Sequence, residues 1–144
     1  MKILFIGDIV GRPGRQLVRD ALPSLVAQHQ IDLVVANVEN AAAGFGLTPD
    51  VVSELIDAGI DVMTTGNHVW DKRDGLVCLD QEPTLLRPAN YPPGAPGQGV
   101  GVFHTAAGLP VADNIKITEN GYAIQLGNGL FQFVLGHKLL LCIY

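Results

Sequence analysis

At 144 residues the chain is the size of one domain, and its 48% hydrophobic residues and mean hydropathy of +0.29 supply enough apolar material for a core. Nine Lys and Arg against 14 Asp and Glu give a net charge of -5 and a pI near 5.1. That balance argues against duplex nucleic acid as the main partner, since binding such a polyanion depends on clustered cations that release counterions. An acidic chain can still handle phosphate esters if metal cations supply the positive charge. Cys78 and Cys142 lie far apart in no metal-type spacing, which reads as two reduced thiols in a cytoplasmic protein. The apolar run from Met1 to Val10 is too short for a signal peptide and is interrupted by Asp8, and no stretch approaches a membrane span.

The first elements alternate strand and helix. Lys2 to Gly7 (KILFIG) is a short continuous apolar run, the pattern of a strand buried on both faces of a parallel sheet. Gly11-Arg12-Pro13-Gly14 reads as a turn. Leu17, Val18, Ala21, Leu22, Leu25 and Val26 then recur at helical spacing, with Pro23 expected to weaken or kink that helix. Ile31 to Val38 (IDLVVANV) is a second strand. Thr48-Pro49-Asp50 has the chemistry of a helix start, a capping Thr followed by Pro at the first helical position. Val51, Val52, Leu55 and Ile56 form that helix's apolar stripe, and Gly59 fits its C-terminal cap. Ile60 to Thr65 is the third strand. The resulting βαβαβ order implies an α/β fold with a parallel sheet.

The second part of the chain reads differently. Asp71 to Asp80 suits a short helix, although Gly75 disfavours it, and Arg87 to Gly99 is a Pro- and Gly-rich loop. Val100 to His104 is a further strand. From Ile115 onward, alternating residues and the turn pairs Asn120-Gly121 and Asn128-Gly129 predict a C-terminal antiparallel β-meander. Leu139 to Tyr144 is apolar throughout. An exposed strand of that kind invites aggregation or homo-oligomer formation.

Each of the first three strands ends in polar groups: Gly7-Asp8, Glu39-Asn40 and Gly66-Asn67-His68. Singly, each has an ordinary structural reading as a cap, a solvated turn or a hydrogen-bonded histidine. Parallel strands set their carboxyl ends side by side, however, and ligands of open α/β sheets bind there. Asp8, Glu39, Asn40, Asn67 and His68 should therefore converge. Two carboxylates brought together repel, and a divalent cation between them relieves the repulsion. Carboxylate, amide and imidazole donors suit Mn, Fe or Zn, whereas a purely oxygen set would suit Mg.

The segment TTGNHVWD (Thr64 to Asp71) resembles the Gly-Asn-His-Glu/Asp block of calcineurin-like metallophosphoesterases. With GDIVGRPGR, NVENAAAGFGLT, TTGNHVWDK and LLRPANYPPGAPGQG, the chain more specifically resembles the bacterial YmdB-type metallophosphoesterases, which hydrolyse cyclic nucleotides. The resemblance covers Met1 to about Val111. It implies a dinuclear site of two metal ions, Fe or Mn ahead of Zn or Mg, acting on a small phosphoester or cyclic nucleotide. Asp8 would bind the first metal, Glu39 would bridge both, Asn40 and Asn67 would bind the second, and His68 would be the proton donor. Ions roughly 3.5–4 Å apart would generate hydroxide for in-line attack. Arg12 or Arg15 is a candidate phosphate contact, and Arg87 and Asn90 are candidates for shaping the substrate cleft.

The resemblance also marks a departure. Such enzymes complete their site with histidines from a C-terminal half, on a lone His and a His-x-His motif, and neither is present in this sequence. Residues 112–144 match nothing recognised and read as a truncated, frame-shifted or divergent tail on a single incomplete domain spanning 1–144. His29, His104 and His137 are the remaining imidazoles. His29 is expected on the wrong side of the sheet, and His137 in a hairpin turn. The half-site offers about four to five ligand atoms where two octahedral ions want about twice that. The alternative is therefore a catalytically impaired metal- or nucleotide-binding remnant.

Overall fold

The computed structural model describes the backbone of residues 2–104, 110–118, 121–126, 129–133 and 141–143, and side chains within 2–104. Four parallel strands, β1 (Ile3–Asp8), β2 (Leu33–Asn37), β3 (Val62–Thr64) and β4 (Leu85–Leu86), form one sheet in the order β4-β3-β2-β1. Helices α1 (Gly11–His29), α2 (Pro49–Asp57) and α3 (Arg73–Gln81) connect them in turn. Successive right-handed crossovers stepping in one direction put all their helices on one face. The core agrees: Leu4, Ile6, Val34, Ala36, Met63 and Leu85 pack with Val18 and Leu22 of α1, Val52 and Leu55 of α2, and Cys78 and Leu79 of α3. Burying one such Leu contributes roughly 1.5–3 kcal/mol. The alternate residues Ile3, Phe5, Leu33, Val35 and Val62 face the other way and are also buried, as the unbroken apolar runs predict. Burial pushes the free thiol of Cys78 up, which suits a packing role.

Several expectations are sharpened or corrected. Gly11 to Gly14 is the first turn of α1: Gly11 enters at φ 55, and Gly14 N–H already donates to Val10 O at 3.2 Å. Pro13 fits there because first-turn N–H groups have no helical acceptor. α1 continues through Pro23 to His29. Thr48 caps α2, its hydroxyl accepting from Val51 N–H at 3.4 Å. Gly59, at φ 99, follows the last turn, with Gly59 N–H donating to Ile56 O and Ile60 N–H to Leu55 O. This is the paired closure that glycine's left-handed conformation permits. Two residues of β4 are too few to leave a periodic signal, which is why that strand is absent from the sequence reading.

The antiparallel sheet has the order β5-β6-β7-β8, from β5 (Val100–His104), β6 (Pro110–Thr118), β7 (Gly121–Leu126) and β8 (Gly129–Phe133). The meander is thus present. Thr118 pairs with Gly121 and Leu126 with Gly129, so each predicted Asn-Gly pair has its glycine as the first residue of the next strand. Asn120 and Asn128 themselves lie outside the described residues, as do His137 and Tyr144. The apolar end segment does not extend the meander. Its β9 (Leu141–Ile143) runs antiparallel to β1 at the edge of the main sheet, pairing Phe5 with Cys142. Among the described residues no helix is long and apolar enough to cross a membrane.

Candidate metal centre

The sheet places the polar strand ends side by side. Asp8 closes β1 after a register shift: Ile6 pairs with Ala36 but Asp8 with Asn37, leaving Gly7 as the extra residue. Such a bulge re-aims the side chain that follows. Asp8 Oδ2 accepts from Asn40 Nδ2 at 2.8 Å, and Asp8 Oδ1 is buried without a hydrogen-bond partner. Glu39 Oε2 accepts the backbone N–H of His68 at 3.0 Å, and Glu39 Oε1 accepts from Asn37 Nδ2 at 3.3 Å. One strand end thus reaches Asp8 through Asn40 and His68 through Glu39. Asn67 and His68 are exposed at the start of a short 3-10 helix, Asn67–Asp71.

Three residues beyond the expected set support these groups. Asn37, buried in β2, also accepts Glu39 N–H on its Oδ1 at 3.0 Å, so its amide grips the glutamate at both ends. A polar Asn inside the run IDLVVANV was the available signal. Gly66 lies under the Glu39 carboxylate: a Cβ there would come 2.5 Å from Oε2 and 2.6 Å from Oε1. Asp71 Oδ2 sits 2.7 Å from His68 Nδ1. That hydrogen bond raises the His68 pKa above its ordinary 6.5, with burial opposing it and the charges of Glu39, Asp71 and Asp8 adding to it. Asp71 was visible only as the last residue of the resembling block; its contact with His68 depends on the 3-10 turn.

Other candidates fall elsewhere. Arg15 is committed structurally, with Nε on Glu54 Oε2 at 2.7 Å and Nη1 on Ala41 O at 2.6 Å, so it is not a free phosphate contact. Arg12 is exposed. Arg87 is buried, donating to Pro88 O at 3.0 Å while its Nε lacks a hydrogen-bond partner, and Asn90 is exposed. His29 ends α1, where its carbonyl accepts from Lys2 Nζ at 2.8 Å at the opposite end of β1 from Asp8, as expected. His104 is exposed in β5.

The donor set fits a hard or borderline divalent cation in kind. It offers two carboxylates and two side-chain amides at one sheet end, and the buried Oδ1 of Asp8 is an acceptor with lone pairs unsatisfied. Among the described residues no three His, Cys, Asp or Glu are grouped to hold an ion, so coordination by this set would draw on the amide oxygens as well.

Comparison with known proteins agrees with this architecture. A 2',3'-cyclic-nucleotide 2'-phosphodiesterase from Bacillus subtilis is 47% identical over 100 residues, 69% of this chain and 38% of the relative. Among solved structures, a hypothetical protein from Thermus thermophilus is 42% identical with a TM-score of 0.68, covering 74% of this chain and 41% of that one. A structure described as a novel phosphatase from Mycoplasma pneumoniae is 34% identical with a TM-score of 0.67, covering 72% and 38%. The chain thus spans about two-fifths of the length of these relatives. The family model described as YmdB-like protein matches residues 4–118, from β1 to the end of β6, and the chain belongs to that family.

Proposed function

We propose that the chain carries the N-terminal half-site of a metal-dependent phosphoesterase acting on cyclic nucleotide phosphodiesters. The observation that carries this reading is the buried, unpartnered Oδ1 of Asp8 at the end of β1, beside the end of β2 that Glu39 follows. An anionic oxygen buried without a donor is costly, and a cation relieves that cost. Asp8, Glu39, Asn40 and Asn67 would hold the metal, Asp8 and Glu39 through carboxylate and the two Asn through amide oxygen. This all-oxygen set suits Mn or Mg, and the preference for Fe or Mn, with two ions in the complete site, rests on the family resemblance. When bound, the ions supply Lewis acidity toward water and the phosphoryl oxygens. The cyclic-nucleotide substrate class rests on the name of the Bacillus subtilis relative. The same reading treats 1–144 as a single incomplete cytoplasmic domain, whose family-like part runs past the expected limit near residue 111 to residue 118.

His68 supplies the proton. Asp71 occupies Nδ1, which leaves Nε2 facing away from the Asp71 contact. The Asp71 hydrogen bond raises the His68 pKa and so favours the protonated imidazole, whose Nε2 proton can pass to the departing ester oxygen. Asn37 and Gly66 keep the Glu39 carboxylate where it also receives the His68 N–H, which fixes the acid relative to the ligands.

The test is Mn2+-stimulated hydrolysis of bis-p-nitrophenyl phosphate by the purified chain. Turnover should fall about 100-fold or more in His68→Ala. One second reading has its own support, because the described ligand set is partial and the relatives are longer. That reading is a non-catalytic metal- or nucleotide-binding domain. It predicts Mn2+-dependent thermal stabilisation, lost in Asp8→Ala, with no turnover. A folded protein that neither turns over substrate nor gains stability from Mn2+ sinks both.

A further inference from the structure

The loop that starts with Glu39 and Asn40 is held along its backbone by groups from other elements. Asn40 O accepts from Gly11 N–H at 2.9 Å, Ala41 O from Arg15 at 2.6 Å, and Ala42 O from Lys72 Nζ at 2.8 Å. Ala42 N–H donates to Gly46 O at 3.1 Å. Between these anchors the chain takes φ 60 at Ala43, 104 at Gly44 and 71 at Gly46. Ala43 is in a conformation that L residues rarely adopt, and such geometry persists only where its surroundings impose it.

Lys72 is the anchor with the most to explain. Its stem occupies the space beside Gly46, where a Cβ would come 2.9 Å from the Lys72 side chain. Its ammonium lies 5.3 Å from the centre of the half-exposed Phe45 ring, a cation–π contact. Among the described residues it forms no salt bridge, so its polar contacts go to this loop. Lys72 also directly follows Asp71, the partner of His68. The 3-10 helix bearing His68 is therefore tied to the Glu39 loop twice, through His68 N–H to Glu39 and through Lys72 to Ala42.

We propose that Lys72 is a positioning residue that, with Arg15 as the second anchor, holds the Glu39–Asn40 ligand pair in register with the His68-bearing turn. This rests on the metal-site reading above, and two measurements on the purified chain separate the two ideas. The first is amide hydrogen exchange without metal. Lys72→Met, which keeps most of the stem, should speed exchange across residues 39–46 by about tenfold and leave Val34 to Ala36 of β2 as they are. The second is Mn2+ titration followed by the paramagnetic resonance of the free ion. Lys72→Met should bind about tenfold more weakly, and Lys72→Arg should recover to within about threefold of the parent. Unchanged exchange in Lys72→Met overturns the proposal. So does a loosened loop with parental Mn2+ affinity, since Lys72 would then hold a loop and nothing more. If the parent takes up no Mn2+, the metal reading falls, and the exchange result alone decides whether Lys72 holds the loop against the His68-bearing turn.

Discussion

Asp71 and Gly66 set the state of the site one atom at a time. The Asp71 hydrogen bond is the main cause of the raised His68 pKa, so Asp71→Asn should bring that pKa back toward the ordinary 6.5 in an NMR titration of the metal-free chain. The sign for stability follows. A group whose folded pKa is raised contributes stability that is fully present below its unfolded pKa and is lost as pH rises through the folded pKa. The His68–Asp71 contribution should therefore be present in mildly acidic buffer and fade on passing above neutrality, and it should be small because both side chains are well exposed. Unfolding curves of the parent and Asp71→Asn that differ more at high pH than at low pH would contradict this. Gly66 acts by exclusion. In Gly66→Ala the new methyl would sit 2.5 Å from Glu39 Oε2, forcing the carboxylate off the His68 N–H. Overpacking of this kind costs about 1–3 kcal/mol. Gly66→Ala should thus lower the melting temperature and remove most of the stabilisation that Mn2+ provides; full retention of that stabilisation would show that Glu39 is not a ligand.

The helices carry local chemistry that can be altered without touching the site. Thr48 closes the open N-terminus of α2 through Val51 N–H, and α2 packs on α3. Thr48→Ala should cost about 1 kcal/mol in denaturant unfolding while leaving Mn2+ affinity as in the parent. A large loss of metal affinity there would mean that α2 is coupled to the site more tightly than its contacts indicate. The Glu39 loop joins β2 to α2, and Arg15 reaches from α1 to Glu54 on α2 and to Ala41 on that loop. The elements around the site are thus braced by side chains from a helix whose own sequence signature was only an apolar stripe.

For the whole molecule, the decisive pairing is the last one. β1 would be an edge strand of the parallel sheet, and β9 covers it. Uncovered edges pair with other chains. Cys142→Pro, placed opposite Phe5, should weaken that pairing because proline cannot donate to a ladder. The expected result is a lower melting temperature and a shift toward larger species in size-exclusion chromatography. A variant that melts and elutes like the parent would mean that β9 contributes little to the sheet.

The strand ends and the helix starts were legible in the sequence because they depend on neighbours in the chain. The continuous runs KILFIG and IDLVVANV specify doubly buried strands, Thr48-Pro49 specifies a helix start, and Asp8, Glu39-Asn40 and Asn67-His68 stand out as polar groups where such runs stop. Contacts made across long stretches of chain were not legible. The sequence could not say that Gly66 lies beneath Glu39, that Asn37 grips it, or that Arg15 and Lys72 bond adjacent loop carbonyls. It also misassigned Gly11 to Gly14, because a Gly-Arg-Pro-Gly turn and a helix start led by a left-handed glycine share the same residues. The two-residue β4 and the docking of β9 on β1 depend on which edge is left open once the other strands have paired. Local propensity thus determined the elements and the residues that end them, while tertiary packing decided which of those residues meet, since only the folded sheet brings segments about 30 residues apart within hydrogen-bond reach.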